Sequence, residues 1–252
     1  MAPATWADRP VPLLPTPQYL TKKSDDYTVQ ASVMATIHNA FIRCFNTIYL
    51  QALHVQPTDY PTFVGYAEAW VIGLASHHNG EEEHFFPELR KRTGDDQLMT
   101  ENEEQHHRFH GGMERYRAYL AEVKRSRGCR DFDGRKLIGI MDSFKDALME
   151  HLADEIPTIQ ALEKYAGKLD LNQLMEETAE HSMGSMPKLS VIPAVFLNHD
   201  VTYEGGLMAD FGKFPAVMEF TLRRIFPLWN YEWWKFASCD KTGHPKGLHC
   251  VG

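Results

Sequence analysis

Apolar side chains return every three or four positions along four long stretches of the chain, the spacing that gathers them on one face of an α-helix. The stretches run from about Asp26 to His54, Tyr60 to Arg92, Gln97 to Arg125 and Arg135 to Tyr165. Each stops at a cluster of breakers: "QPTDYP", "TGDD", "SRGCRDFDG" and "AGKLD". Long helices with short connections pair with antiparallel neighbours, so the pattern predicts an all-α protein in which residues 26–167 form an up-down-up-down four-helix bundle. Residues 1–25 are proline-rich at their start and predict an extended N-terminal arm. From 168 to 252 the pattern breaks up. "DLNQLMEETAEHSM" reads as a further helix, "KLSVIPAVFLNHDVTYEGG" is punctuated by Pro and Gly, and "FPAVMEFTLRRIFPLWNYEWWKF" is a short helix running into aromatics. This extension is too apolar for a disordered linker and is expected to pack on the bundle as helical and irregular segments.

Polar residues interrupt the apolar stripes at matching places. The fourth stripe steps through Leu137, Met141, Phe144 and Leu148 and then continues into His151 and Glu155. The second runs Phe63, Ala67, Trp70, Leu74 and then His77, Glu81 and Phe85. The third reads as Met99, Glu103, His106, His110 and Met113, and the first as Met34, His38, Phe41, Phe45 and Ile48. Burying two carboxylates without compensation costs several kcal/mol each, out of a typical total stability of about 5–15 kcal/mol. Five imidazoles and two carboxylates turned into one core are the donors that two first-row metal ions take, and four-helix bundles build dimetal sites in this way.

Composition narrows the alternatives. The 252 residues are 43% hydrophobic, enough for a substantial core, and carry a net charge of -8 without a dense Lys/Arg cluster, which argues against nucleic acid. No stretch approaches the roughly eighteen apolar residues of a membrane span, and the first residues lack a signal-peptide pattern. Cys44, Cys129, Cys239 and Cys250 are too scattered for a disulfide framework, so a cytoplasmic location is expected. Of thirteen histidines, most lie between His38 and His151.

"HNAFIRCFN" from His38, "HHNGEEEHFFP" from His77, "EEQHHRFH" ending at His110 and "EHLADEIP" around His151 resemble the successive motifs of the hemerythrin-like, or HHE cation-binding, domain family. The resemblance covers about residues 28–165 and keeps the His-x3-Glu and His-x3-His spacings in order. It implies a non-haem site of two iron ions (ferrous or ferric) with an oxo or hydroxo bridge; His/Glu donors also suit manganese. Residue by residue, His106, His110 and His151 would hold one iron and His38 and His77 the other. Glu81 and Glu155 would bridge them, and dioxygen would bind at the second iron. In oxygen-carrying members the last carboxylate is an aspartate five residues after its histidine, whereas Glu155 stands four after His151.

On the stripe that holds His77 and Glu81, His78 and Glu82 are turned away by about 100°, so loss of His78 is expected to leave both irons in place. Glu83 and His84 read as solvated, His107 as peripheral, His54 as a helix end and Cys44 as a small buried residue, while Trp70, Phe85 and Phe144 predict an apolar lining. In the extension, His199, Asp200, Tyr203 and Glu204 read either as a turn capping the bundle or as a lid over the open iron. Trp229, Tyr231, Trp233 and Trp234 read as packing residues, and Cys239, His244, His249 and Cys250 have no familiar zinc spacing. Three functions fit. The first is a binder of iron and dioxygen. The second is a dioxygen-dependent di-iron oxidase or oxygenase with a small organic substrate and an electron donor, and the third is an iron, oxygen or redox sensor.

Overall fold

A computed structural model describes residues 9–211 and 215–251, with only the backbone of Ser185 and Ala216. Residues 1–8 of the expected arm, and Phe214 at the start of the last expected helix, lie outside the described residues. A five-residue helix, α1 (Pro17–Thr21), interrupts the arm, started by Pro17 and by the Thr16 side chain accepting from Tyr19 N. The first bundle helix is α2 (Asp26–Gln51), capped by Asp25 accepting from Thr28 N. The second is α3 (Tyr60–Gly80), which passes without a break through one π-helical turn (Glu81–Phe85) into α4 (Phe86–Thr93) and ends at Gly94 with φ 74°. The third is α5 (Thr100–Arg125), and the fourth is α6 (Gly134–Gln160), capped by Asp133.

Contacts spread along neighbouring bundle helices set them antiparallel, with the first beside the fourth. His38 Nδ1 meets Leu152 O, and Tyr49 meets Asp142 toward the opposite ends of α2 and α6. Lys124 of α5 bonds Glu68 of α3, and Lys136 of α6 reaches Glu122 of α5. The fold is the all-helical bundle expected, with no strand among the described residues, only an isolated bridge between Cys239 and Pro245. Close packing between α5 and α6 requires Gly112, where a Cβ would run into the Cβ and ring of Phe144.

The extension contributes α7 (Leu171–Ser185), α8 (Lys188–Phe196), α9 (Ala216–Phe220) and a 3-10 segment (Tyr231–Phe236). The α7 and α8 helices lie over the seam between α2 and α3. Ala194, Leu197, Trp234 and Phe236 belong to the same apolar core as Phe45, Trp70 and Leu148 of the bundle. Buried polar groups tie the parts together. Gln51 donates to Phe236 O and accepts from His249 N, Asn198 Oδ1 accepts from Tyr66 OH and Ser238 N, and Arg43 pairs with Asp200 at 2.9 Å. Asn39 and Asn46 clamp the backbone of Leu14 and Val11, which seats the arm along α2. No described helix is long and apolar enough to cross a membrane.

Candidate metal centre

His38, on the inner face of α2, is fully buried, and its Nδ1 donates to Leu152 O at 2.8 Å. In the neutral ring this leaves Nε2 as a bare lone pair aimed into the bundle. It faces His77 Nε2 at 3.2 Å and Glu155 Oε2 at 3.3 Å. Across the core, His106 Nδ1 donates to Glu82 Oε1 at 2.6 Å, which again fixes the tautomer and turns Nε2 inward, 3.1 Å from His151 Nε2 and 3.5 Å from Glu81 Oε2. Glu81 stands between the two groups, with its Oε1 3.1 Å from His77 Nε2.

Two sets of donors result. One is His38, His77, Glu81 and Glu155; the other is His78, Glu81, His106 and His151, and within each set one ligand atom per residue lies within 4.8 Å of the others. Both oxygens of Glu81, both of Glu155 and His78 Nε2 are buried without a hydrogen-bond partner. Lone pairs of bare imidazole nitrogens thus face carboxylate oxygens at 3.3–3.5 Å. Acceptors held against acceptors in a dry interior repel unless a cation lies among them. Imidazole and carboxylate without thiolate form a donor set for iron, manganese or zinc. The residues present therefore fit a pair of cations shared across Glu81.

Burial pushes the His77, His78 and His151 imidazoles well below their ordinary range, and the neighbouring imidazoles push the same way. His106 is also lowered by burial, against the opposing pull of Glu82. The Glu81 carboxyl is raised by burial and by the charge of Glu155. His77, His78, His106 and His151 are therefore ready as neutral donors at neutral pH.

A family model described as hemerythrin HHE cation binding domain matches residues 30–162, the span from α2 through α6. The chain belongs to this family. It is also 34% identical over 252 residues to the dimeric xanthone biosynthesis cluster protein R11 of Cryptosporiopsis sp. (strain 8999), over 98% of this chain and 93% of the relative. No solved structure matches it.

Within this hemerythrin-like frame the structure brings together His38, His77, Glu81, His106, His151 and Glu155. His110, the remaining expected ligand, is exposed on α5, and His78, expected to point away, is buried at the centre. The inner face of α5 runs through Gln105, His106, Phe109, Gly112, Met113 and Tyr116, so Phe109 takes the place assigned to His110. On α3 the error has another cause: α7, α8 and the 3-10 segment cover its outer side, so buried positions surround most of the helix and successive histidines can both be inside. His77 then serves one donor set and His78 the other. Glu82, also expected outside, is 41% exposed at its side chain yet reaches back to His106, because the π turn brings it beside that ring.

His84 is half-buried rather than solvated: its Nδ1 meets Thr178 Oγ1 at 2.9 Å and its ring stacks on His181. Glu83 and His107 are exposed. His199, Asp200, Tyr203 and Glu204 form a tie rather than a lid. Asp200 pairs with Arg43, Glu204 accepts from Thr16 N, and burial takes His199 down to about 4. Trp234 is buried and Trp233 stands over Gly65, but Trp229 and Tyr231 are exposed. Among the described residues Cys239, His244, His249 and Cys250 do not form a metal-binding set.

Beside the metal centre, a cavity of about 210 Å³ lies between α2, α3, α7 and α8. His77 and Glu81 line one end, and Phe41, Phe85, Met175 and Val195 are among its apolar walls. None of His199, Asp200, Tyr203 and Glu204 lines this cavity, whereas α7 and α8 wall it. Phe85 lines this space as expected, whereas Trp70 and Phe144 pack together elsewhere in the core.

Proposed function

We propose that the protein holds two iron ions among these residues and uses dioxygen to oxidise a small organic molecule seated in the adjoining cavity. In this reading His38, His77 and Glu155 hold one ion, His78, His106 and His151 hold the other, and Glu81 reaches both. Bound iron would supply the electrons that reduce dioxygen and the oxidising power directed at the substrate, and an electron donor would restore it.

The observation that carries the reading is the cavity. Its roughly 210 Å³ exceeds the roughly 150 Å³ that suffices to hold a benzene ring dry. Dioxygen alone has no need of such a space, nor of α7 and α8 to wall it. Phe41, Phe85 and Met34 exclude water from the side of the site where His77 and Glu81 are reached. Leu152 O and Glu82 hold the rings of His38 and His106 so that their inner nitrogens stay turned to the centre. A relative named for a dimeric xanthone biosynthesis cluster supports an organic substrate over gas storage.

Reversible dioxygen binding is the second reading, favoured by the five imidazoles set against two carboxylates. The two separate on one experiment. The protein is loaded with ferrous iron without oxygen, its metal content is measured, and the ultraviolet–visible spectrum is followed as oxygen is admitted and withdrawn. Two irons per chain that oxidise and stay oxidised are expected. A band that disappears when oxygen is withdrawn would establish the binder instead, and a chain that retains no iron would defeat both.

A further inference from the structure

Resting on the oxidase reading above, we infer that the cavity beneath α7 and α8 is the binding site of a polycyclic aromatic molecule, held with uncharged rings against the apolar walls and its oxygen-bearing edge toward His77 and Glu81. Charge comes first. Among the described residues no Lys or Arg lines the cavity, and its one ionisable acid is Glu81, so a carboxylate or phosphate placed away from the metal end would find no counter-charge in an apolar space. The part of the ligand that lies against these walls is therefore uncharged.

Shape follows from the walls. Phe41, Phe85, Phe196 and Phe211 offer ring edges and faces, and Met175, Met183 and Met186 offer thioethers. Both prefer an aromatic partner to an aliphatic one of equal area. The volume takes more than one ring. Floor space is kept by Gly73, where a Cβ would come within 3.2 Å of Val191 and 3.3 Å of Phe41. Met183 both lines the cavity and is 39% exposed, which sets the mouth beside α7.

Orientation follows from the polar groups. Thr178 Oγ1 is already engaged, donating to Leu174 O and meeting His84 Nδ1. The unpartnered polar atoms facing the cavity are those of Glu81, at the metal end. A ligand turns an oxygen-bearing edge there, where a phenol O–H can donate to Glu81 or a ketone oxygen face the cation that Glu81 would hold, and buries its rings against α8.

The test uses the full chain, metal-free and iron-loaded, and calorimetric titration with 9-fluorenone, its 4-carboxylate and decane. Fluorenone is expected to bind both forms and, in the metal-free form, about tenfold or more tighter than either the carboxylate or decane. Val195→Phe and Met175→Trp, which fill the space from different helices, are each expected to weaken fluorenone binding by about tenfold or more while iron per chain is unchanged. No fluorenone binding, tighter binding of the carboxylate or decane to the metal-free protein, or full affinity in both folded, iron-retaining variants would overturn the inference. Failure of the two proposals is distinguishable: fluorenone bound without irreversible iron oxidation sinks the oxidase reading and leaves the site, whereas oxidation without fluorenone binding sinks the site alone.

Discussion

Phe109 and His110 compete for one place on the inner face of α5, and transfer free energies decide between them. Burying a phenylalanine side chain gains about 1.5–3 kcal/mol, while an imidazole taken from water without a partner loses a comparable amount. The signal was in the sequence: Gly112, Tyr116, Leu120 and Val123, stepped back through the helical period, lead to Phe109. His78 left no such signal, because its burial depends on what lies across the bundle. His78→Ala is therefore expected to lose at least one of the two metal ions, and His110→Ala to keep both, as measured by metal per chain after dialysis. Equal retention in the two variants would restore the assignment in which His78 faces away.

At the scale of elements, the joint between α3 and α4 matters most. A π turn at Glu81–Phe85 keeps the helix running while shifting its register, so that Glu81 faces inward and Glu82 meets His106. Periodicity placed this helix and its limits well, but an even 3.6-residue step has no means of representing one widened turn. The extension's helix at Leu171–Ser185 is equally legible from its pattern, whereas the Pro-containing α8 shows in the sequence only as a punctuated segment. Close approach of α5 and α6 gives a test at this scale. Gly112→Ala gains up to about 1 kcal/mol of helix propensity, yet overpacking against Phe144 costs about 1–3 kcal/mol. A net loss of stability in urea unfolding is expected; a gain would mean that α5 and α6 separate freely.

For the whole molecule, the buried histidines link stability to pH. Burial holds His77, His78, His106 and His151 below the ordinary value of 6.5, so below that pH the unfolded chain binds protons that the folded chain refuses. Stability of the metal-free protein should therefore fall as pH drops from 7 toward 5, by up to about 1.4 kcal/mol per histidine per pH unit. Glu81 works the other way, because its raised carboxyl takes a proton in the folded state before the unfolded one does. One carboxyl does not offset four imidazoles, and a denaturation midpoint flat or rising on acidification would refute the account. The sequence by itself determined the four-helix plan, the helix limits to within a few residues and a core into which each of the four helices turns one or two metal-ligand residues. Those features follow from local periodicity and from the cost of burying charge, which any fold of this chain must meet. Only the tertiary structure decided which of two adjacent histidines serves which ion, which carboxylate backs His106, and that α7 and α8 close a cavity against the site. Each of these depends on what packs against a helix from across the molecule, and no helical period carries that information.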